Sequence, residues 1–441
     1  MKQYSNTKPE QWAEILVRPE FDPTVLSGKV AGILDEIKGG GDAVLKKYTA
    51  QFDGVELDTF SVSEEELEEA EAQIEPDLKV AIERAAGNIL RFHSSQKRDV
   101  YKVETTPGVQ CWHKSVAIDK VGLYIPGGSA PLFSTVLMLA LPAKIAGCSE
   151  IVLCTPPDKL GKVNPAILFA AKLCGVDKIF KLGGVQAIGA MAYGTESVPR
   201  VYKIFGPGNQ YVMAAKQLVS ARQVAIDMPA GPSEVAVMAD ESAVPAFVAS
   251  DLLSQAEHGA DSQVVLVANS EEIVQNVWAE VQEQLKELPR KEIALQALEN
   301  SVAVVLETEQ EMIDIINEYA PEHLIISMKN YTQIADKIVN AGSVFLGNYT
   351  PESAGDYASG TNHTLPTNGW SRAYSGVNLG SFCKKITFQE ITKEGINSLG
   401  ETIELMAEAE YLFAHKNAVS LRRGEAPSNS PKGEGQSRSE E

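Results

Sequence analysis

Short apolar runs alternate with helical patterns along most of the chain beyond residue 116. Apolar, β-branched runs precede segments with helical spacing at 151–153 and 166–173, 178–180 and 185–193, and 201–205 and 209–219. This alternation is typical of a parallel α/β sheet, in which helices connect successive strands. A break at 226–233 is followed by a second series of the same kind, from the predicted strand 235–238 to the predicted helix 271–285. The pattern therefore predicts two α/β units, one inserted in the other.

The two ends of the chain have different patterns. Among the first hundred residues, which are predicted to be helical, Ser63 and Glu66 form a capping box. It begins an acidic helix that is predicted to continue toward Ile89. Beyond residue 380, Ile396 and Leu399 stand at helical spacing, which predicts a C-terminal helical segment.

Composition limits the class of protein. The 441 residues exceed the size at which one core keeps growing, so two or more domains are expected. A composition of 44% hydrophobic and 22% charged residues is that of an ordinary globular protein. The net charge of -20 repels nucleic acid and anionic membranes, so neither is an expected partner. No apolar run reaches the roughly 20 residues of a membrane span, and the N-terminus is polar, so a cytoplasmic location is predicted.

The five cysteines are odd in number and include no C-x-x-C pair. This argues against a disulfide framework and against a thiolate zinc site, so any metal would be held by nitrogen and oxygen atoms. Cys148, Cys154 and Cys174 lie among apolar neighbours, which favours buried structural thiols over nucleophiles.

A polar segment over 347–363 follows the apolar run 343–346 and contains Glu352, Asp356 and His363 together with three glycines. The composition predicts neither a helix nor a regular strand here. A long irregular segment after a strand is typical of a binding site, because backbone freed from sheet pairing can be directed at a ligand.

Gln255 and His258 are three residues apart at the predicted end of a helix, before Gly259, so they should share one face. With Asp356 and His415 they would form a mixed nitrogen and oxygen shell that suits zinc in an open catalytic site, or manganese or cobalt. The alternative for the Gln255 motif alone is a solvated helix end. His415 lies five residues after Glu410, about 140° around an ideal helix, so one straight helix would not direct both at the same ligand.

Glu322 and His323 are adjacent, directly before a predicted buried strand. A carboxylate beside an imidazole can activate water and transfer protons near neutral pH, although such a pair at an element junction can also be incidental. Two glycine-rich turns, at 124–131 and 206–210, precede predicted helices and could hold phosphate at the helix N-termini. Neither matches a dinucleotide fingerprint, so plain turn glycines remain the alternative.

Seven blocks, in order, resemble the histidinol dehydrogenase family: 122–128, 183–188, 206–209, 230–234, 255–259, 320–324 and 351–363. The resemblance extends from about residue 20 to residue 423. It implies a zinc-dependent enzyme that oxidises L-histidinol through the aldehyde to L-histidine with two NAD, the last step of histidine biosynthesis.

The resemblance also assigns residues. It implies one zinc per subunit, held by Gln255, His258, Asp356 and by His415 from the other subunit of an intertwined homodimer. Glu322 and His323 would be the catalytic pair, with His323 as the base for the alcohol and Glu322 as the activator of water. The residues matching substrate-binding positions are Ser233, Gln255, His258, His323, Glu352, Asp356, Glu410 and His415, and those matching NAD-binding positions are Tyr124, Gln186 and Asn209.

The fold implied by the resemblance is α/β, with two incomplete Rossmann-like parallel-sheet domains, one inserted in the other, and small terminal helical segments. The predicted divisions are an N-terminal arm at 1–23, a main α/β domain at 24–122 and 236–378, a second Rossmann-like domain at 123–235, a C-terminal helical segment at 379–423 that packs on the partner subunit, and a disordered tail at 424–441.

Three other functions stay open at the level of sequence. A related zinc and NAD enzyme could oxidise another alcohol, such as a sulfonated diol, although Glu352, Glu410 and His415 suit a cationic, imidazole-bearing substrate better. A metal hydrolase could use Glu322 without nicotinamide. A non-catalytic binding protein would have no use for an adjacent acid and base.

Overall fold

The computed structural model describes residues 1–19, 23–127, 130–229 and 231–424. These form two compact units, the first from Met1–Lys97 and Ala117–Phe382, and the second from Arg98–Val116 and the described chain from Cys383 onward. The predicted tail, apart from Gly424, lies outside the described residues. The predicted domain boundaries stay a prediction.

The elements are numbered in chain order. The strands are β1 (Lys2–Ser5), β2 (Lys102–Thr106), β3 (Val109–Ala117), β4 (Lys120–Tyr124), β5 (Glu150–Thr155), β6 (Lys178–Lys181), β7 (Lys203–Phe205), β8 (Ala225–Ile226), β9 (Glu234–Ala239), β10 (Gln263–Ala268), β11 (Val302–Val305), β12 (His323–Ser327), β13 (Ser343–Leu346) and β14 (Cys383–Ile391). The helices are α1 (Pro9–Ile15), α2 (Pro23–Phe52), α3 (Glu64–Gln73), α4 (Pro76–Ser94), α5 (Phe133–Ala146), α6 (Pro165–Leu173), α7 (Gly184–Tyr193), α8 (Gln210–Ser220), α9 (Pro245–Ala256), α10 (Glu271–Gln284), α11 (Lys291–Glu299), α12 (Glu309–Tyr319), α13 (Tyr331–Ala335), α14 (Glu352–Tyr357), α15 (Lys393–Ala409) and α16 (Phe413–Arg423).

The first unit contains two parallel sheets. One has the order β6-β5-β4-β7-β8 and the other the order β1-β11-β10-β9-β12-β13. If β4 and β9 are each counted as a first strand, both sheets contain the order 3-2-1-4-5 of a Rossmann fold and lack its sixth strand, and the second sheet has β1 in addition, beside β11. The five-stranded sheet lies in sequence between β1 and β9. The predicted fold of two incomplete Rossmann-like domains, one inserted in the other, is confirmed.

Apolar side chains cover both faces of each sheet. In β5, Ile151 and Leu153 belong to one buried cluster, whereas Val152 and Cys154 belong to another on the opposite face. This is the period-two alternation of a strand, and burial on both faces explains why these runs are continuously apolar. The interior position raises the pKa of the Cys174 thiol to about 12, in accord with the predicted structural role of the buried cysteines.

The N-terminal helices follow the predicted pattern with one break. The capping box of Ser63 and Glu66 is present at the start of α3. The single helix predicted to reach Ile89 is wrong, because α3 ends at Gln73 and α4 begins at Pro76. A proline fits the first turn of a helix but disfavours helical backbone in the residue before it. α2 packs on α7 and α8, α3 on α6, and α4 on α5.

The second unit combines strands and helices. β2 and β3 are antiparallel, and β14 pairs on the other side of β3. The C-terminal segment from residue 379 was predicted to be helical, but β14 lies inside it. The helices of this segment begin only at α15. α15 and α16 pack on each other, and Tyr411, at a positive φ of 59°, reverses the chain between them.

Candidate active site and cofactor cleft

Glu322 and His323 lie at the amino end of β12, inside the six-stranded sheet. β12 pairs with β9 on one side and β13 on the other, so its backbone is held from both edges. Both side chains are buried, at 5% and 4% exposure. The two side chains are therefore held in fixed positions. Acid–base catalysis requires such fixed positions.

The backbone of Glu234, the first residue of β9, holds both side chains. Its N–H donates to Glu322 Oε2 at 3.0 Å, and its carbonyl oxygen lies 3.3 Å from His323 Nδ1. A proton on Nδ1 would satisfy that carbonyl and leave Nε2 as the nitrogen that exchanges protons with a ligand. Nε2 is buried and has no hydrogen-bond partner among the described residues.

Three carboxylates surround the His323 ring. Glu322 Oε2 and Glu352 Oε1 lie 3.7 and 3.8 Å from Nδ1, and Asp356 Oδ1 lies 3.5 Å from Nε2. Burial disfavours the imidazolium ion, but the charges of Glu352 and Glu322 outweigh this effect and raise the pKa of His323 to about 10. Burial raises the pKa of Glu322, and separately that of Glu352, to about 8. Such a cluster of buried acids attracts cations.

A short helix, α14, carries two of these acids. Glu352 and Asp356 are four residues apart on it and therefore share one face. The prediction that 347–363 contains no helix is wrong. The helix begins after Pro351, whose extended backbone caps it, and it fits against β13 because Gly355 has no side chain; a Cβ there would come within 2.7 Å of the Phe345 ring. His363 Nδ1 lies 2.8 Å from the Asp356 carbonyl oxygen, so the His363 ring contacts the backbone of the segment that carries Asp356.

Metal-ligating atoms converge beside the acid–imidazole pair. His258, Glu352 and Asp356 each offer one atom, and these atoms lie within 4.8 Å of one another. His258 lies in the turn after α9 rather than in its last turn as predicted, because the helix ends at Ala256. His258 is exposed, yet the protein atoms beside its ring lower its pKa, which keeps the ring neutral as a ligand must be.

Gln255 fits the same role. It occupies the last turn of α9, which packs against α14, and it is fully buried. Both atoms of its side-chain amide lack a hydrogen-bond partner among the described residues. Leaving an amide unpaired in the interior costs about 1–3 kcal/mol, and an ion bound by its oxygen would remove part of that cost. The donor set of Gln255, His258 and Asp356 therefore suits a metal that accepts nitrogen and oxygen.

The other predicted substrate residues lie in two places. Ser233 directly precedes β9 and so lies at the same sheet edge as Glu322 and His323. Glu410 and His415 both belong to the second unit, where Glu410 ends α15 and His415 lies in α16. Both are exposed. The helix ends between them, so the two residues do not lie on one straight helix.

An ion pair between Arg18 and Glu234, next to the acid–imidazole pair, was not predicted. Arg18 donates to both carboxylate oxygens of Glu234, at 2.5 and 2.9 Å, and its guanidinium lies over the Tyr319 ring. The pair anchors the residue whose backbone holds Glu322 and His323. The one signal in the sequence is a carboxylate at the start of the apolar strand 234–239, because such a residue needs a buried partner.

A cleft of about 1240 Å³ lies at the carboxyl ends of the five-stranded sheet, where the strand order reverses between β4 and β7. Ligands bind at this position in open α/β sheets. Tyr124, Gln186 and Asn209, all predicted to contact NAD, line the cleft. Four lysines also line the cleft: Lys29, Lys47, Lys159 and Lys162. Because the whole chain has a net charge of -20, an anionic group such as phosphate needs local cations of this kind.

The glycine turn at 206–208 forms part of this end of the sheet. Gly206 has φ +124°, and a Cβ there would lie 2.1 Å from the Tyr124 carbonyl oxygen. Lys216 Nζ donates to the Gly206 carbonyl oxygen at 2.7 Å, and Asp227 accepts the Gly206 N–H at 2.8 Å. Lys216 and Asp227 themselves form a fully buried ion pair. The turn is therefore held at both the N–H and the carbonyl group of one residue.

The chain was compared with known proteins. A family model described as histidinol dehydrogenase matches residues 16–423. A histidinol dehydrogenase of Bacteroides thetaiotaomicron is 61% identical over 422 residues, which are 96% of this chain and 99% of the relative. The histidinol dehydrogenase of Escherichia coli strain K12 is 51% identical, over 95% of this chain and 96% of the relative.

The fold agrees with that relationship. The crystal structure of histidinol dehydrogenase from Elizabethkingia anophelis superimposes with a TM-score of 0.94 at 55% sequence identity, covering 96% of this chain and 98% of that one. The range of the family model, residues 16–423, includes every strand from β2 to β14, the acid–imidazole pair and the residues that line the cleft. The chain belongs to the histidinol dehydrogenase family.

Proposed function

We propose that this protein oxidises L-histidinol through L-histidinaldehyde to L-histidine with two NAD in succession, the last step of histidine biosynthesis. Membership of the family supports the reaction. The observation in the structure that carries it is the buried pair of Glu322 and His323 beside a cluster of nitrogen and oxygen donors. The relatives give no support to a sulfonated diol as substrate.

His323 is the proposed base for the two hydride transfers. A hydride leaves the alcohol carbon only as the hydroxyl proton departs, and Nε2 is the nitrogen free to accept that proton. The ring must be neutral to do so. A cationic ligand that engages Glu352 or Asp356 withdraws the negative charge that holds the imidazolium, and so lowers the pKa of His323 toward the working range.

Glu322 is the proposed activator of water in the middle step. The aldehyde must add water before it can lose a second hydride, and the added water must give up a proton. A carboxyl group with a pKa of about 8 exchanges protons readily near neutral pH, which suits a general base. The hydrated aldehyde then loses its hydride to the second NAD while a hydroxyl proton leaves to His323, and the product is the carboxylic acid.

The proposed metal is zinc, one per subunit, at Gln255, His258, Asp356 and His415. Zinc has no redox chemistry, and when bound it would fix the substrate by its nitrogens so that the reacting carbon faces the nicotinamide. Ser233, Glu352 and Glu410 are the further proposed substrate contacts, and Tyr124, Gln186 and Asn209 the proposed NAD contacts. The cysteines are odd in number and include no C-x-x-C pair, which supports the proposed cytoplasmic location.

Purified protein supplied with L-histidinol and excess NAD should release two reduced nicotinamides per histidinol, followed by absorbance at the end of the reaction. A non-imidazole diol, including a sulfonated one, should release none above background. One equivalent per histidinol would mean that the reaction stops at the aldehyde, and turnover of the diol alone would identify a different dehydrogenase. A metal hydrolase would release no reduced nicotinamide from either compound.

We further propose an intertwined homodimer in which His415 of one chain completes the site of the other. The resemblance to the family supports this arrangement. If it is correct, His415→Asn chains and Glu322→Gln chains, neither of which should form the acid at an appreciable rate alone, should recover acid formation when mixed under conditions that exchange subunits, because one of the two sites in each heterodimer would be intact. The expected recovery is at most about half of the activity of a native dimer per heterodimer. Verified heterodimers without activity would refute action in trans.

A further inference from the structure

A carboxylate at the cleft contacts the predicted NAD residue Gln186. Asp53 directly follows the last residue of α2, and its N–H donates to the Thr49 carbonyl oxygen at 2.9 Å. Because α2 packs on α7, this places Asp53 against the first turn of α7. Gln186 Nε2 donates to Asp53 Oδ2 at 3.0 Å.

This hydrogen bond fixes which way the Gln186 amide points. An ionised carboxylate only accepts hydrogen bonds, so the NH₂ group must face Asp53 and the oxygen must face away. Burial raises the pKa of Asp53 to about 6, while the Gln186 bond opposes the rise, so the carboxylate is ionised at neutral pH. Neutral pH therefore admits one amide orientation.

The result is a corner of the cleft with two available acceptors, beside which the Tyr124 hydroxyl keeps its own proton as a donor. Gln186 Oε1 is buried and has no hydrogen-bond partner among the described residues, and no described donor reaches Asp53 Oδ1. Gly184 and Tyr124 lie beside this corner, but the Gly184 N–H is already donated to the Tyr124 hydroxyl at 3.1 Å. A buried acceptor without a donor costs free energy until a ligand supplies one.

We infer that Asp53 is a positioning residue, which turns the Gln186 amide so that its oxygen accepts a hydrogen bond from a ribose hydroxyl or an amide N–H of the bound cofactor. This rests on the proposed use of the cleft for NAD. The lysines of the cleft suit the phosphates, whereas this corner suits the parts of the dinucleotide that donate hydrogen bonds. Asp53 acts through Gln186.

The test is a double-mutant cycle read out as the Kd of reduced nicotinamide dinucleotide, measured by its fluorescence on the intact protein. Gln186→Ala and Asp53→Ala should each raise Kd about tenfold or more, because each removes or misdirects a hydrogen bond that involves a charged or buried group. The double variant should bind no more weakly than Gln186→Ala alone, since Asp53 would have nothing left to position. In turnover, Asp53→Ala should raise KM for NAD and leave kcat near the native value at saturation.

Two further variants distinguish the positioning of Gln186 by Asp53 from the effect of the Asp53 charge on binding, and from misfolding of the protein. Asp53→Asn keeps the size of the side chain but can also donate to Gln186 Oε1, so the amide loses its single orientation and Kd should rise several-fold. Asp158 lines the same cleft and accepts two N–H groups of its own loop, which an asparagine oxygen can also accept. Asp158→Asn thus removes the same charge, and it should change Kd by less than about threefold.

Additive losses in the double variant would overturn the inference, as would native binding by Asp53→Ala. Equal effects of Asp53→Asn and Asp158→Asn would show that charge alone matters, which also overturns it. If the native protein does not bind the reduced dinucleotide at all, the proposed function fails and the inference fails with it. The binding of the reduced dinucleotide by the native protein therefore distinguishes failure of the proposed function from failure of this inference alone.

Discussion

Glu322→Gln protein should oxidise histidinol to the aldehyde at a rate within about tenfold of the native rate, but should convert added aldehyde to the acid about a hundredfold or more slowly. A positioned general base contributes about 10²–10⁴ in rate, and only the second conversion requires the activation of water. The substitution keeps the shape of the side chain. An amide oxygen can still accept the Glu234 N–H, so the strand edge should stay folded.

The two half-reactions can be followed separately through the first and second equivalents of reduced cofactor in rapid-mixing experiments. Glu287→Gln, on an exposed loop, is the matched control and should leave both rates unchanged. Equal losses in the two half-reactions would refute the assignment of Glu322 as the activator of water. A loss confined to the alcohol step would exchange the proposed roles of Glu322 and His323.

His258→Asn protein should retain much less metal than the native protein after gel filtration. The affinity for the metal should fall by at least about 10–100-fold, because changing a residue that only supports a metal ligand already has an effect of that size. An asparagine amide is a weaker metal ligand than a neutral imidazole and cannot reach the position of Nε2, and Glu352 and Asp356 remain as a pair of acids without the third donor. Metal content per chain is measured by mass spectrometry of the metal, and activity is measured on the same sample.

His113→Asn is the matched control, since His113 is exposed on β3 in the second unit. It should bind as much metal as the native protein. Full metal content together with native activity in His258→Asn would remove His258 from the shell. Full metal content with lost activity would instead assign His258 to the substrate alone.

Most of the fold could be predicted from local pattern. Strands such as β5 are apolar on both faces and are followed by helices, and this alternation is visible without any knowledge of contacts. β1 and β14 could not be predicted in the same way. Each is an edge strand whose pairing depends on distant residues, such as the pairing of Lys2 with Val302, and neither of these two strands is a continuous apolar run.

Part of the candidate site could also be predicted from local pattern. Glu322 and His323 are adjacent in sequence, so the pair is visible as a motif. The approach of Asp356 to His258 depends on the packing of α14 against α9, so the sequence offers these residues as candidate ligands but does not show that they meet. The partnership of Arg18 with Glu234 spans 216 positions of the chain, and the contact of Asp53 with Gln186 spans 133. Contacts at such separation leave no local pattern.

Crystals grown with zinc and measured at the zinc absorption edge test the central claim most directly. We expect one strong anomalous peak per chain, about 2.0–2.2 Å from Gln255 Oε1, an imidazole nitrogen of His258 and a carboxylate oxygen of Asp356. A fully zinc-loaded protein whose only anomalous peaks lie away from these three side chains would contradict it.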